Sequence, residues 1–124
     1  MLKINCAALL AALLLLAPQA LASNTTADAG VAYGKIAKGA MVIDVRTAEE
    51  FATGHLPQAH NIPYENIVPM LQQLGVNAQQ SLVLYCRSGR RADVAKAALE
   101  KAGYIHVYNA GGYQQLTTFK AQLN

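Results

Sequence analysis

One segment limits the possible folds more than any other. It is LVLYCRSGRRADVAKAALEKAG, residues 82–103. A short apolar run rich in Val, Leu and Tyr has the length and composition of a buried strand. It runs into Cys86, a four- to five-residue polar loop, and then a stretch with apolar residues at helical spacing. Val94, Ala95, Ala98, Leu99 and Ala102 fall on one face, with Asp93, Lys96, Glu100 and Lys101 largely on the other, and Gly103 closes the helix. A buried strand feeding directly into an amphipathic helix is half of a crossover unit, and such units build parallel sheets covered on both faces.

The rest of the chain repeats this alternation. MVIDV at 41–45 and YIHVYN at 104–109 read as two further buried strands. After the first of these, Thr47 with Glu50 three residues on forms a capping box, and Gly54 would end a short helix. Residues 64–74 predict a helix ending at Gly75, split or kinked at Pro69. Residues 28–38 and the segment GGYQQLTTFKAQL predict the first and last helices. The expected fold is therefore a single α/β domain, a parallel sheet with helices on both faces, whose sites form where strands end and helices begin. Cys86 lies at such a junction.

The first 22 residues belong to another category. A basic start at Lys3, the apolar run AALLAALLLLA and the exit Ala20-Leu21-Ala22 describe a signal peptide cut after Ala22. The run is shorter than the roughly 20 residues that span a bilayer, and Pro18 and Gln19 interrupt its end. The expected organisation is a signal peptide at 1–22, a flexible mature terminus at 23–29 and one domain at 30–124. Export implies no stable membrane association after cleavage, and a periplasmic location if the source is a Gram-negative bacterium. The formal net charge is +3, part of it from Lys3, without the basic runs and interleaved aromatics of a nucleic-acid surface. Nothing in the sequence demands more than a monomer.

Cysteine usage sharpens the reading. Cys6 would leave with the signal peptide, so the mature chain keeps Cys86 alone, although exported proteins usually pair their cysteines. An inert buried cysteine is one explanation; the neighbourhood favours a reactive one. Backbone N–H groups at a helix start, with Arg87, Arg90 and Arg91 beside them, favour a thiolate over a thiol and attract an anion. Gly89 permits the tight turn. Three cations at a helix N-terminus oppose the sign that the helix prefers, so they cost energy unless an anion visits. Ser88 completes the candidate anion loop. Asp44 and Arg46, at the end of the first strand, are expected to shape the neighbouring loops, the one as a hydrogen-bonded carboxylate and the other as a paired guanidinium. His55, His60 and His106 stand at no metal-ligand spacing relative to Cys86, so neither a metal nor another cofactor is expected.

Three separated segments, MVIDVRTAEEFATGHLPQAHNIPY (41–64), YCRSGRRA (85–92) and GYIHVYNAGGYQQL (103–116), make the chain resemble the rhodanese family over residues 30–120. They match its Asp-Val-Arg, Glu-Glu-Phe, Gly-His and Asn-Ile-Pro pattern, its cysteine loop and its closing Gly-Gly pair. The resemblance implies a sulfurtransferase. Cys86 would take the outer sulfur of an anionic donor such as thiosulfate, hold it as a persulfide against the amides of 87–91, and pass it to a thiophilic acceptor such as cyanide. Family members that prefer thiosulfate often carry a basic residue directly after the cysteine, where Arg87 stands. They often carry another two positions after it, where this chain has Ser88; Arg90 or Arg91 is the candidate to compensate. The family's closing motif often includes a tryptophan, and this sequence has none. A relay that hands its persulfide only to a protein partner fits the same residues. A cysteine phosphatase or arsenate reductase fits less well: its signature places an arginine six residues after the cysteine, where this chain has Ala92, with Arg91 one position early.

Overall fold

The computed structural model describes residues 27–124. The expected signal peptide at 1–22 lies outside the described residues, and among those described no helix is long and apolar enough to cross a membrane. Helix α1 (Ala29–Ala37) leads into strand β1 (Met41–Asp44), helix α2 (Ala48–Ala52) and a two-residue strand β2 (His60–Asn61). A 3₁₀ turn (Tyr64–Asn66) precedes α3 (Ile67–Gln73), β3 (Leu82–Cys86), α4 (Arg90–Lys101), β4 (Val107–Gly112) and α5 (Tyr113–Gln122). All pairings are parallel, in the order β2-β1-β3-β4. Neighbouring strands β1 and β3 thus send their chains to opposite edges of the sheet. Their C-terminal ends flank a switch point, the place where open α/β sheets put their sites.

The period-two alternation of β3 decides which way the cysteine faces. Leu82, Leu84 and Cys86 join Ile43 and Val45 on one face, under Ile67 and Leu71 of α3 and Ala92, Ala95 and Leu99 of α4. Val83 and Tyr85 join Val42 on the other, with Ala32 of α1, Leu56 and Leu116 of α5. All five residues of β3 are buried, as a strand covered on both faces requires. Cys86 consequently projects toward the N-terminus of α4.

Most expected elements are present, and the departures have physical causes. The domain begins before residue 30: Asp28 caps α1, accepting from the Val31 N–H at 3.2 Å, and its own N–H donates to Tyr108 Oη at 2.9 Å. The split expected around Pro69 takes the form of the 3₁₀ turn followed by α3. Pro69 occupies the first turn of α3, where its missing N–H is no loss. The last strand starts at Val107 rather than 104. Tyr104 is buried as a clasp on the end of α4, with its N–H on Leu99 O and its hydroxyl on Val76 O at 3.1 Å. Ile105 and His106 are exposed. The strand then runs on through Ala110, Gly111 and Gly112, poor strand formers that β3 holds in the ladder. Strand β2 was not expected; two polar residues carry no alternation to read.

Candidate active site

Residues 86–91 turn from β3 into α4 around one interaction: the Gly89 N–H donates to Cys86 Sγ at 2.9 Å. Gly89 adopts φ +93° as the residue before the helix, a conformation that L side chains rarely take. The first helical hydrogen bond is already in place, from the Asp93 N–H to Gly89 O at 2.9 Å. The N–H groups of Arg90, Arg91 and Ala92 have no place in that ladder and point out of the helix end. The sulfur therefore lies at the positive pole of a 12-residue helix. Cys86 itself is fully buried, while Arg87, Ser88 and Arg90 above it are exposed. The thiol is covered by its loop yet aimed at the loop's amides.

The three arginines have different employment. Arg91 is engaged by Glu50 through both arms of its fork, Nη1 to Oε1 at 2.6 Å and Nη2 to Oε2 at 2.9 Å. Sequence reasoning offered Arg91 as an anion ligand; in the structure its guanidinium is paired with Glu50 and ties α4 to α2. The pairing with Arg91 holds the Glu50 carboxyl well below the usual range, at about 2, and raises Arg91 in turn. Glu50 also closes the expected capping box with Thr47, at 3.2 Å in both directions. Arg87 and Arg90 enter no ion pair among the described residues. Arg87 lines a cleft of about 400 Å³ with Arg46, Glu50, Thr53, Tyr113 and Gln114. Ser88 is exposed on the loop's crest.

Asp44 and Arg46 pair with each other beneath this cleft. Asp44 Oδ1 accepts from the Arg46 N–H and Nε at 2.9 Å each, and Oδ2 accepts from Nη2 at 2.6 Å. Nη2 also donates to Gly54 O at 2.7 Å, and the guanidinium lies 4.6 Å from the centre of the Tyr113 ring and 5.6 Å from that of Tyr85. Hydrogen bonding to Asp44 raises Arg46. Burial keeps the Tyr85 hydroxyl protonated; it accepts the Leu56 N–H at 3.0 Å. Asp44 and Arg46 are more than 94 % buried and satisfied by each other and by backbone. This is an internal brace under the loops.

Two groups in the site were missed by sequence reasoning. Asn61 donates to Asp44 O and Arg46 O, at 3.2 and 3.0 Å, pinning the turn after β1. Asn109 donates to Gly89 O at 2.9 Å and accepts from the Gly111 N–H at 2.9 Å. A buried-facing asparagine in a run of strand residues was the available signal, since Asn is depleted in strands unless its amide is used. The Gly-Gly pair proves to be the floor of the cysteine loop. A Cβ on Gly112 would stand 2.6 Å from Arg87 O, and one on Gly89 would stand 3.2 Å from the Gly111 Cα. His55, His60 and His106 are exposed and apart from the sulfur; His55 stacks on Phe51 at 3.6 Å.

Known proteins share this plan. The chain is 32% identical over 80 residues to the Escherichia coli thiosulfate sulfurtransferase PspE, spanning 64% of this chain and 77% of PspE. It is 31% identical over 68 residues to the putative sulfur carrier protein YrkF of Bacillus subtilis, spanning 55% of this chain but 36% of YrkF. Among solved structures, a rhodanese with anions from E. coli superposes with a TM-score of 0.55 at 33% identity, covering 60% of this chain and 87% of that one. The family model of the Rhodanese-like domain matches residues 28–118. A parallel sheet with a cysteine at its switch point, an amide-lined loop leading into a helix, and a family match over residues 28–118 lead to one conclusion: the chain belongs to the rhodanese family.

Proposed function

We propose that the protein is an exported thiosulfate sulfurtransferase that works through a persulfide on Cys86. The observation that carries this reading is the Gly89 N–H on Cys86 Sγ at the start of α4, with Arg87 and Arg90 above it in no ion pair among the described residues. In the first half-reaction the Cys86 thiolate attacks the outer sulfur of thiosulfate. A new S–S bond forms, the donor's S–S bond breaks, and sulfite leaves with the bonding pair. The Cys86 persulfide then carries the negative charge on its outer sulfur, within reach of the outward-pointing amides of 90–92. In the second half-reaction cyanide attacks that sulfur, thiocyanate departs and the thiolate returns. No redox partner, metal or other cofactor is required by this balance. Arg87 supplies the cation next to the cysteine; with Ser88 neutral and Arg91 held by Glu50, Arg90 is the second capture charge.

Steady-state kinetics of wild type and Cys86→Ala with thiosulfate and cyanide test the reading. Parallel double-reciprocal lines in the wild type and loss of the activity in the variant support it. Activity that survives in Cys86→Ala contradicts it, as does phosphate release from an aryl phosphate with no thiocyanate formed. A second reading, a relay that discharges only to a protein partner, draws support from the likeness to a putative sulfur carrier and from the complete burial of Cys86. A persulfide that forms but does not discharge to cyanide would favour it. The basic-apolar-small pattern of residues 1–22 supports export, with the mature chain in the periplasm of a Gram-negative source.

A further inference from the structure

We propose that Asn109 is a positioning residue for sulfur transfer, setting the orientation of the Gly89–Arg90 peptide so that its N–H faces the outer sulfur; the proposal rests on the persulfide reading above. Gly89 O accepts two hydrogen bonds, one from the Asp93 N–H and one from Asn109 Nδ2, both at 2.9 Å. The helix alone satisfies that carbonyl, so the bond from Asn109 is not needed to avoid a buried orphan. What it adds is direction. In a planar trans peptide the N–H points opposite to the C=O, and no peptide bond among the described residues is cis. Fixing Gly89 O from two sides therefore fixes the Arg90 N–H, which leaves the helix on the side where the Gly89 N–H already meets Cys86 Sγ.

The amide of Asn109 is itself held without ambiguity. Its nitrogen faces a carbonyl and its oxygen faces the Gly111 N–H, so the two ends cannot be exchanged. The backbone around it is arranged to permit this. Leu84 pairs with Asn109 and Cys86 with Gly112, so β4 takes three steps where β3 takes two. That bulge puts Gly111 at φ +84°, close against Gly89. Asn109 thus ties the bulge in β4 to the cysteine loop. An asparagine in a strand costs β propensity, which the orientation of the loop's donors repays.

Two variants separate orientation from charge and from folding. Asn109→Asp keeps the shape and the acceptor for Gly111 but turns an oxygen toward Gly89 O; Asn109→Ala removes both bonds without adding charge. Each is compared with wild type by thiosulfate–cyanide kinetics, thermal melting, and intact mass after loading with thiosulfate and desalting. The expected result is a fall in kcat of about 10- to 100-fold in both, with KM for thiosulfate within about twofold because Arg87 and Arg90 are untouched. The loaded variants also lose their extra sulfur faster than wild type. Wild-type kcat and sulfur retention in either folded variant overturns the proposal. So does a change confined to KM, a defect in the Asp variant alone, or failure of both variants to fold, which would make Asn109 a folding residue. A wild type that takes up no sulfur overturns the underlying reading instead, and the proposal with it.

Discussion

Replacing Gly112 by alanine isolates the contact between the end of β4 and the cysteine loop. Gly112 has φ −101° and ψ 144°, a region open to any residue, so the substitution brings no backbone strain. Its only effect is steric. The added Cβ would overlap Gln115 Oε1, the end of a side chain that can swing away, and would stand 2.6 Å from Arg87 O, which is backbone. Ordinary contact begins at 3.4 Å, so the Arg87 carbonyl must retreat by about 0.8 Å. That carbonyl lies one residue from Cys86 and two from Gly89, whose N–H meets the sulfur. Overpacking of this kind costs about 1–3 kcal/mol, a drop in Tm of roughly 5–20 °C for a domain near 100 residues. A displacement approaching 1 Å at the reacting group costs up to about 100-fold in rate. Gly34 provides the control. It lies inside α1 with nothing within 4 Å of an added Cβ, so Gly34→Ala should gain about 0.5–1 kcal/mol and leave turnover alone. Thermal melting and thiosulfate–cyanide kinetics on both variants decide the matter. A Gly112→Ala protein with wild-type Tm and kcat/KM, or a Gly34→Ala protein as impaired as Gly112→Ala, would refute the reasoning.

Arg87→Ala should raise KM for thiosulfate while leaving kcat nearly unchanged, and the effect should shrink as salt is added; an unchanged KM at low salt would show that Arg87 does not capture the donor. Asp44→Ala leaves the Arg46 guanidinium buried without its carboxylate, and urea unfolding should register a loss of about 3–5 kcal/mol; a loss under 1 kcal/mol would mean that water reaches the pair. Because the folded-state value of Glu50 is lowered from 4.5 to about 2, its contribution is complete above pH 4.5 and disappears as pH falls toward 2. The pair is partly exposed, so about 1 kcal/mol is expected. Glu50→Gln should be less stable than wild type by that amount at pH 7 and equal to it near pH 2 in chemical denaturation; a gap that persists at low pH would contradict the ion-pair account.

The chemistry-bearing part of this fold was legible because it is local. Strand, cysteine, loop and helix occupy 82–103 without interruption, and the direction of Cys86 follows from counting alternate residues along β3. The capping box of Thr47 and Glu50 was equally readable, since its partners lie three residues apart. What stayed hidden involves long sequence separations. Glu50 and Arg91 are 41 residues apart, and Asn109 and Gly89 are 20 apart. Charge rules at a helix N-terminus gave three arginines the same role, and only the fold reveals that one of them is spoken for. The start of β4 was misplaced because Tyr104 and Ile105 have strand-like composition, whereas the clasp on α4 claims the first and solvent the second. The two residues of β2 carry too little pattern to be read at all.

The central claim is that Cys86 carries sulfur, and intact-mass measurement tests it without any acceptor. Wild type and Cys86→Ser are incubated with thiosulfate, desalted and weighed, then exposed to cyanide and weighed again. Wild type should gain one sulfur atom and lose it to cyanide, while the serine variant should gain none. Equal gains in both proteins, or no gain in a folded wild type, would contradict the account.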